Sequence, residues 1–209
     1  MPKSSKHYSP LPTLRKFHEC SAPIRACVGP VGSGKTTAAT WEACRFIPDF
    51  MHKSYGIKKT RGVIIRNTYS ELIDTTQKTV FDWFEPGVAG TYQSQRMVYN
   101  ITFDDGIEVE VLFRSCDRKE DVKKFKSLEI TWYWIDESIE VADEIKRMLK
   151  NRIGRYPALK DYPKLRPGQA TPRFGIETTN PPDVTHPTYS DFKWDTPPPG
   201  PVPAPGCLA

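Results

Sequence analysis

Short apolar runs bounded by glycine, proline or charge punctuate the chain, and their period separates strands from helices. Ile24 to Val28, between Pro23 and Gly29, reads as a short buried strand running straight into a glycine-rich loop. Lys35 to Phe46 has the composition of a helix. Pro48 marks its expected end, because proline cannot supply the amide of the next helical turn. Gly62 to Arg66 reads as a second buried strand, with helical material following from Tyr69 to Phe84. Arg96 to Phe103 and Ile107 to Phe113 alternate around Asp104-Asp105-Gly106. This is a β-hairpin pattern, in which Asp-Gly supplies the positive φ of a tight turn. Ile130 to Ile135 lacks polar alternation and suits a strand covered on both faces, ending abruptly at Asp136-Glu137. The pattern also predicts a short helix at Leu11 to Cys20 with Leu14 and Phe17 on one side, and a charged helix at Arg118 to Leu128. A helix over Val141 to Ile153 and a last strand at Arg173 to Thr179 complete the series.

This order predicts an α/β fold, a central and mostly parallel sheet flanked by helices, with a β-hairpin at Arg96 to Phe113. Residues 1–10 read as a flexible N-terminus, 11–185 as the folded domain and 186–209 as a linker or tail. The end, DTPPPGPVPAPGCLA, cannot form a helix or a central strand because its prolines lack the amide donor. A chain of 209 residues suits one domain. With 38% hydrophobic and 26% charged residues the composition is that of a soluble globular protein. No apolar run approaches the ~20 residues of a membrane span, and the N-terminus lacks the apolar stretch of a secretory signal. A cytoplasmic location is expected. The cysteines are scattered without a CxxC pair, which suggests neither a zinc site nor a disulfide framework. A net charge of +5 favours a polyanionic partner without naming one.

The chemistry lies in two places. Gly29, Pro30, Val31, Gly32, Ser33, Gly34, Lys35 and Thr36 spell GPVGSGKT, a phosphate-binding loop between an apolar strand and a helix, with Thr37 following. Such a loop wraps a triphosphate with backbone amides, helped by the positive end of the helix dipole. Lys35 would reach the β- and γ-phosphates and the Thr36 hydroxyl would ligate Mg²⁺. ATP and Mg²⁺ are the expected cofactors. In this setting Asp136 would hold the metal and Glu137 would orient and deprotonate the attacking water. The bland alternative, an Asp-Glu pair opening the next helix, loses ground once the loop is present. A carboxylate at position 137 favours an ATPase that performs work over a small-molecule kinase.

The ordered series GPVGSGKT, GVIIRNTYSELIDTT, LFRSCDRKEDVKKFKSLEITWYWIDES, NRIGRYP and ETTNPP resembles the ATPase domain of the large terminase subunit of tailed bacteriophages. The resemblance covers roughly residues 10–185 and implies a P-loop NTPase of the ASCE, RecA-like type. It implies a motor that translocates double-stranded viral DNA into a procapsid, working as a homo-oligomeric ring, a pentamer on the portal. The implied partners are DNA, the portal protein and the small terminase subunit, in the cytoplasm of a bacterial host. Lys35 and Thr36 then stand at Walker A positions, and Asp136 and Glu137 at Walker B. Thr178, Thr179 and Asn180 match the family's coupling motif, while Phe17 and Arg66 lie where relatives line the nucleotide site. The chain departs from the family at the trans-acting finger, where it has Lys126. Lysine lacks the guanidinium fork, so Lys124, Arg114, Arg152 and Arg155 stay open as candidates. Relatives also carry a C-terminal nuclease domain, and nuclease activity is not expected from this chain.

Three other readings compete. Arg152-Ile153-Gly154-Arg155 faintly resembles a helicase arginine motif, though a helicase needs a second RecA-like domain. A nucleotide kinase would require an arginine-rich lid. A nucleotide-gated binding module would bind ATP without turnover.

Overall fold

The computed structural model describes residues 7–117, 121–181, 185 and 207–208. Helix α1 (Pro12–Glu19) begins with proline in its first turn and leads into β1 (Ile24–Val28), the strand the sequence predicts. Helix α2 (Lys35–Trp41) runs through a π turn at Glu42–Phe46 into α3 (Ile47–Tyr55), and Gly56 ends the run. The helix therefore does not stop at Pro48. The π turn ahead of the ring widens the backbone, where a regular helix would drive proline against the carbonyl one turn back. Glu42 in this turn is buried and pairs with Arg25 of β1, and its other oxygen lies 2.6 Å from His18 Nδ1 of α1. The turn thus ties α1, β1 and the helical run together.

After β2 (Lys59–Arg66), a second helical run passes from α4 (Tyr69–Glu71) through a π turn at Leu72–Gln77 into α5 (Lys78–Trp83). The predicted hairpin forms as β4 (Val98–Thr102) and β5 (Glu108–Ser115), with Val98 opposite Leu112 and Thr102 opposite Glu108. An additional strand, β3 (Gly90–Gln93), pairs antiparallel to β4. Among the described residues the predicted charged helix reduces to α6 (Val122–Phe125); residues 118–120 lie outside them. Strand β6 (Trp132–Asp136), helix α7 (Asp143–Lys150) and strand β7 (Phe174–Thr179) follow. The predicted linker or tail at 186–209 lies outside the described residues except for a two-residue strand, β8 (Cys207–Leu208), antiparallel to β1. Tyr8 belongs to the segment expected to be flexible, yet its ring stacks on Trp41 at 5.2 Å and its hydroxyl lies 2.8 Å from His18 Nε2.

The sheet order is β3-β4-β5-β2-β6-β7-β1-β8, with β5, β2, β6, β7 and β1 parallel. Strand β7 separates the loop-bearing β1 from β6. The apolar alternation divides the core in two. Ile64, Trp132 and Trp134 face α1, α2, α3 and the run ending in α5, while Val63, Ile65, Tyr133 and Ile135 face α6 and α7. Burying every side chain of β6 explains its lack of polar alternation. Each fully buried tryptophan removes roughly 200 Å² from water, worth about 5 kcal/mol of transfer free energy.

Gly62 makes room for one of those rings, since a Cβ at this position would lie 2.0 Å from Trp132 Cε2. Gly62→Ala should therefore cost about 1–3 kcal/mol through overpacking, read as a lower urea midpoint. An unchanged midpoint would refute the close seating of Trp132 on β2.

Candidate nucleotide site

The loop leaves β1 alongside β7, where the Gly29 amide donates to the Thr179 carbonyl at 3.2 Å. Gly34 is the N-cap of α2 with φ 83°, and a Cβ there would lie 3.2 Å from Leu14 Cδ1, so α1 supports the loop from beneath. Lys35 is only 7% exposed. Its Nζ donates to the Gly29 carbonyl at 2.7 Å, the Pro30 carbonyl at 3.0 Å and Asn180 Oδ1 at 3.1 Å. Among the described residues no carboxylate lies within ion-pair distance of this ammonium. A buried cation held only by neutral oxygens is electrostatically incomplete, and an anion completes it. Ser33 Oγ in the loop and Thr179 Oγ1 beside it are buried without a hydrogen-bond partner. Thr36 and Thr37 are half-buried at the start of α2, Pro30 is exposed, and Val31 at the loop tip is 86% exposed.

Parallel pairing brings the C-terminal ends of β1, β2, β6 and β7 to one edge. Ile65 lies opposite Ile135, Asp136 opposite Thr178, and Val28 opposite Thr179. Asp136 is 1% exposed, and three donors hold its carboxylate. Thr178 Oγ1 donates to Oδ1 at 2.7 Å, Thr76 Oγ1 to Oδ2 at 2.6 Å, and Arg66 NH1 to Oδ2 at 3.1 Å. Thr178 Oγ1 in turn accepts from Trp134 Nε1 at 2.9 Å. Glu137 takes a left-handed conformation with φ 51° and ψ 59°, a departure costing about 1–3 kcal/mol in a residue with a side chain. Its carboxylate accepts the Asn180 amide at 3.3 Å. Asn180 therefore touches Lys35 through its side chain and Glu137 through its backbone.

The sequence reading missed several residues of this edge. Thr76 comes from the π turn, and Glu71 Oε2 lies 3.7 Å from Arg66 Nε. Thr68 caps α4 by accepting the Glu71 amide and donates its own hydroxyl to Glu71 Oε2 at 2.7 Å. The Thr-x-x-Glu spacing of a capping box was visible in the sequence and could have located this helix start. Glu140 also faces the cluster; burial first, then the negative charge of Glu71, holds its carboxyl above the usual range.

The other expected site residues lie elsewhere. Phe17 is fully buried, with its ring against His18 and the Arg25 guanidinium, and has no surface to offer a base. Arg114 NH1 donates to the carbonyls of Arg96, Met97 and Phe113, and burial lowers its pKa. Lys124 pairs with Asp121 at 2.6 Å, Lys126 is exposed in the turn after α6, and Arg155 donates to the Asn151 carbonyl at 3.0 Å. Arg152 Nε is buried without a partner. Among the described residues none of these cations bonds to the loop or to the carboxylates of the site.

No family model matches this sequence, and a comparison with curated proteins finds no match. Solved structures share its fold. The large terminase of a thermophilic bacteriophage aligns over 87% of this chain and 40% of its own, with 10% identity and a TM-score of 0.62. The same protein in complex with ATP-gamma-S aligns at 12% identity with a TM-score of 0.58, over 87% of this chain and 39% of that one. The large terminase ATPase domain of Thermus phage P74-26 aligns over 95% of this chain and 75% of its own, at 17% identity with a TM-score of 0.55. The fold is thus that seen in phage large-terminase ATPase domains, a mostly parallel sheet flanked by helices as the sequence predicts, and the chain spans 40% of the length of the first of these proteins.

Arg66 pairs with Asp136 at 3.1 Å, with its side chain 14% exposed against 2% for the carboxylate. Arg66→Met should destabilise the fold by about 1–3 kcal/mol, because it strips a charged donor from a buried carboxylate. Urea denaturation measures this, and a variant as stable as the parent would show that the two hydroxyls suffice.

Proposed function

We propose that residues 11–185 form an ATP-hydrolysing motor domain of a large terminase subunit, which drives double-stranded viral DNA into a procapsid. One observation carries this reading: Lys35 is a buried ammonium on a phosphate loop, surrounded by neutral oxygens and linked through Asn180 to Glu137. An unpaired cation answers to phosphate, and the carboxylate behind it answers to water. The shared fold with large-terminase ATPase domains supports the choice of motor.

In the reaction, Lys35 exchanges the carbonyls of Gly29 and Pro30 and the Asn180 amide oxygen for the β- and γ-phosphates. The hard-oxygen donors Thr36 and Asp136 would hold Mg²⁺, which would supply charge neutralisation at the phosphates. Glu137 takes the proton of the attacking water as the bond to the γ-phosphorus breaks, leaving ADP and phosphate. Asn180 loses its lysine contact when Lys35 turns to the phosphates. Thr178, Thr179 and Asn180 thereby pass occupancy of the site along β7. Arg66, between Asp136 and Glu71, responds to the same change in charge.

The subunits act as a ring, a pentamer on the portal, with a cation supplied by a neighbour. Lys126 and Arg155 are exposed, Arg152 and Arg114 partly buried. The small terminase subunit delivers DNA, and the work is done in the host cytoplasm at the procapsid. No helix among the described residues is long and apolar enough to cross a membrane.

ATP hydrolysis measured with and without duplex DNA, across protein concentration, tests the reading. The wild-type rate per subunit should rise with both. Lys35→Ala should lose nucleotide binding, and Glu137→Gln should bind ATP normally while hydrolysing it about 10²–10⁴-fold more slowly. Full activity in Glu137→Gln would overturn the assignment of the base, and a wild-type chain that binds no nucleotide would overturn the whole reading.

A further inference from the structure

The phrase Ile73-Asp74-Thr75-Thr76 lies within a π turn and is not used by the reaction as described above. Two adjacent threonines in a helix point about 100° apart, so they cannot serve the same surface. Thr75 turns its hydroxyl back onto its own helix, donating to the Glu71 carbonyl at 2.6 Å, and Thr79 does the same to the Thr75 carbonyl at 2.9 Å. Thr76 instead points into the sheet edge. It has no exposed surface, and its hydroxyl lies 2.6 Å from Asp136 Oδ2. Leu72 and Val80, four residues to either side, are likewise fully buried. At a spacing of four residues all three stand on the face that meets the sheet, so a hydroxyl is set in a row otherwise given to aliphatic side chains.

We infer that Thr76, which lies within the π turn at Leu72–Gln77, is a positioning residue for Asp136; this rests on the ATP-hydrolysis reading and deepens it. A carboxylate can rotate about its Cβ–Cγ bond unless both oxygens are held. Thr178 holds Oδ1 from β7 and Thr76 holds Oδ2 from the opposite side, each through a short charge-assisted O–H···O⁻ bond. Arg66 alone would hold the group less firmly, because it is shared with Glu71. With both oxygens pinned, the remaining lone pairs of Asp136 keep one direction while Lys35 and Asn180 change partners around the nucleotide. Thr76 touches neither phosphate nor water; it acts through Asp136.

The test compares Thr76→Val, which removes the hydroxyl and keeps the shape, with Thr76→Ser, which keeps the hydroxyl. Binding of a fluorescent ADP is titrated with and without Mg²⁺, beside steady-state ATP hydrolysis and thermal unfolding. Thr76→Val should need about tenfold more Mg²⁺ for half-maximal nucleotide binding, the size of one charge-assisted hydrogen bond, with Mg²⁺-free binding unchanged. Its kcat should fall about tenfold with KM for ATP little moved, and Thr76→Ser should stay near the parent in every readout. An unaltered Mg²⁺ requirement in Thr76→Val, or an equal loss of binding with and without Mg²⁺, would overturn the proposal. If Thr76→Val does not fold, Thr76→Ala gives the same comparison. If neither folds, Thr76 is a structural tie and the proposal falls. A parent chain that binds no fluorescent ADP would instead overturn the ATP reading itself.

Discussion

A buried carboxylate at the end of the central strand organises this structure. Asp136 is almost completely removed from water, and an ionised group in that position persists only if donors replace the solvent it lost. The donors come from three separate elements: Arg66 from β2, Thr76 from the helical run that follows it, and Thr178 from β7. Satisfying one charge therefore fixes the relative placement of two strands and a helix.

Lys35 presents the complementary case. Among the described residues its buried ammonium has no countercharge and rests on carbonyls and an amide oxygen, an electrostatic deficit that an anion would relieve. Asn180 stands between the two halves, bonded to Lys35 by its side chain and to Glu137 by its backbone. Glu137 sits in a left-handed conformation held by the turn after β6, which commits backbone strain to placing one carboxylate. Together these contacts join the loop, the carboxylates and the end of β7.

Much of this fold was legible along the chain because its signals are local. Strand β1 matched its predicted bounds, and the hairpin around Asp104-Asp105-Gly106 and the unbroken apolar run of β6 formed as read. Pro48 misled for an equally definite reason: the π turn before it removes the clash that would have stopped a regular helix. Strand β3 was missed because Gly90 to Gln93 is short and carries no strong apolar alternation. Phe17 has the same neighbours in sequence whether it faces a base or the core, and packing put it in the core.

By itself the sequence determined the phosphate loop, the acidic end of β6 and the parallel α/β order, since each depends on residue types at fixed spacing. Only the tertiary structure decided which side chains complete the site. Arg66, Thr76, Thr178 and Asn180 come from different elements of the chain, and parallel register and the buried helix face that Thr76 shares with Leu72 and Val80 bring them together. Hydrogen bonds across such distances leave no periodic trace, so the donors that hold Asp136 could be recognised only after the strands had been set side by side.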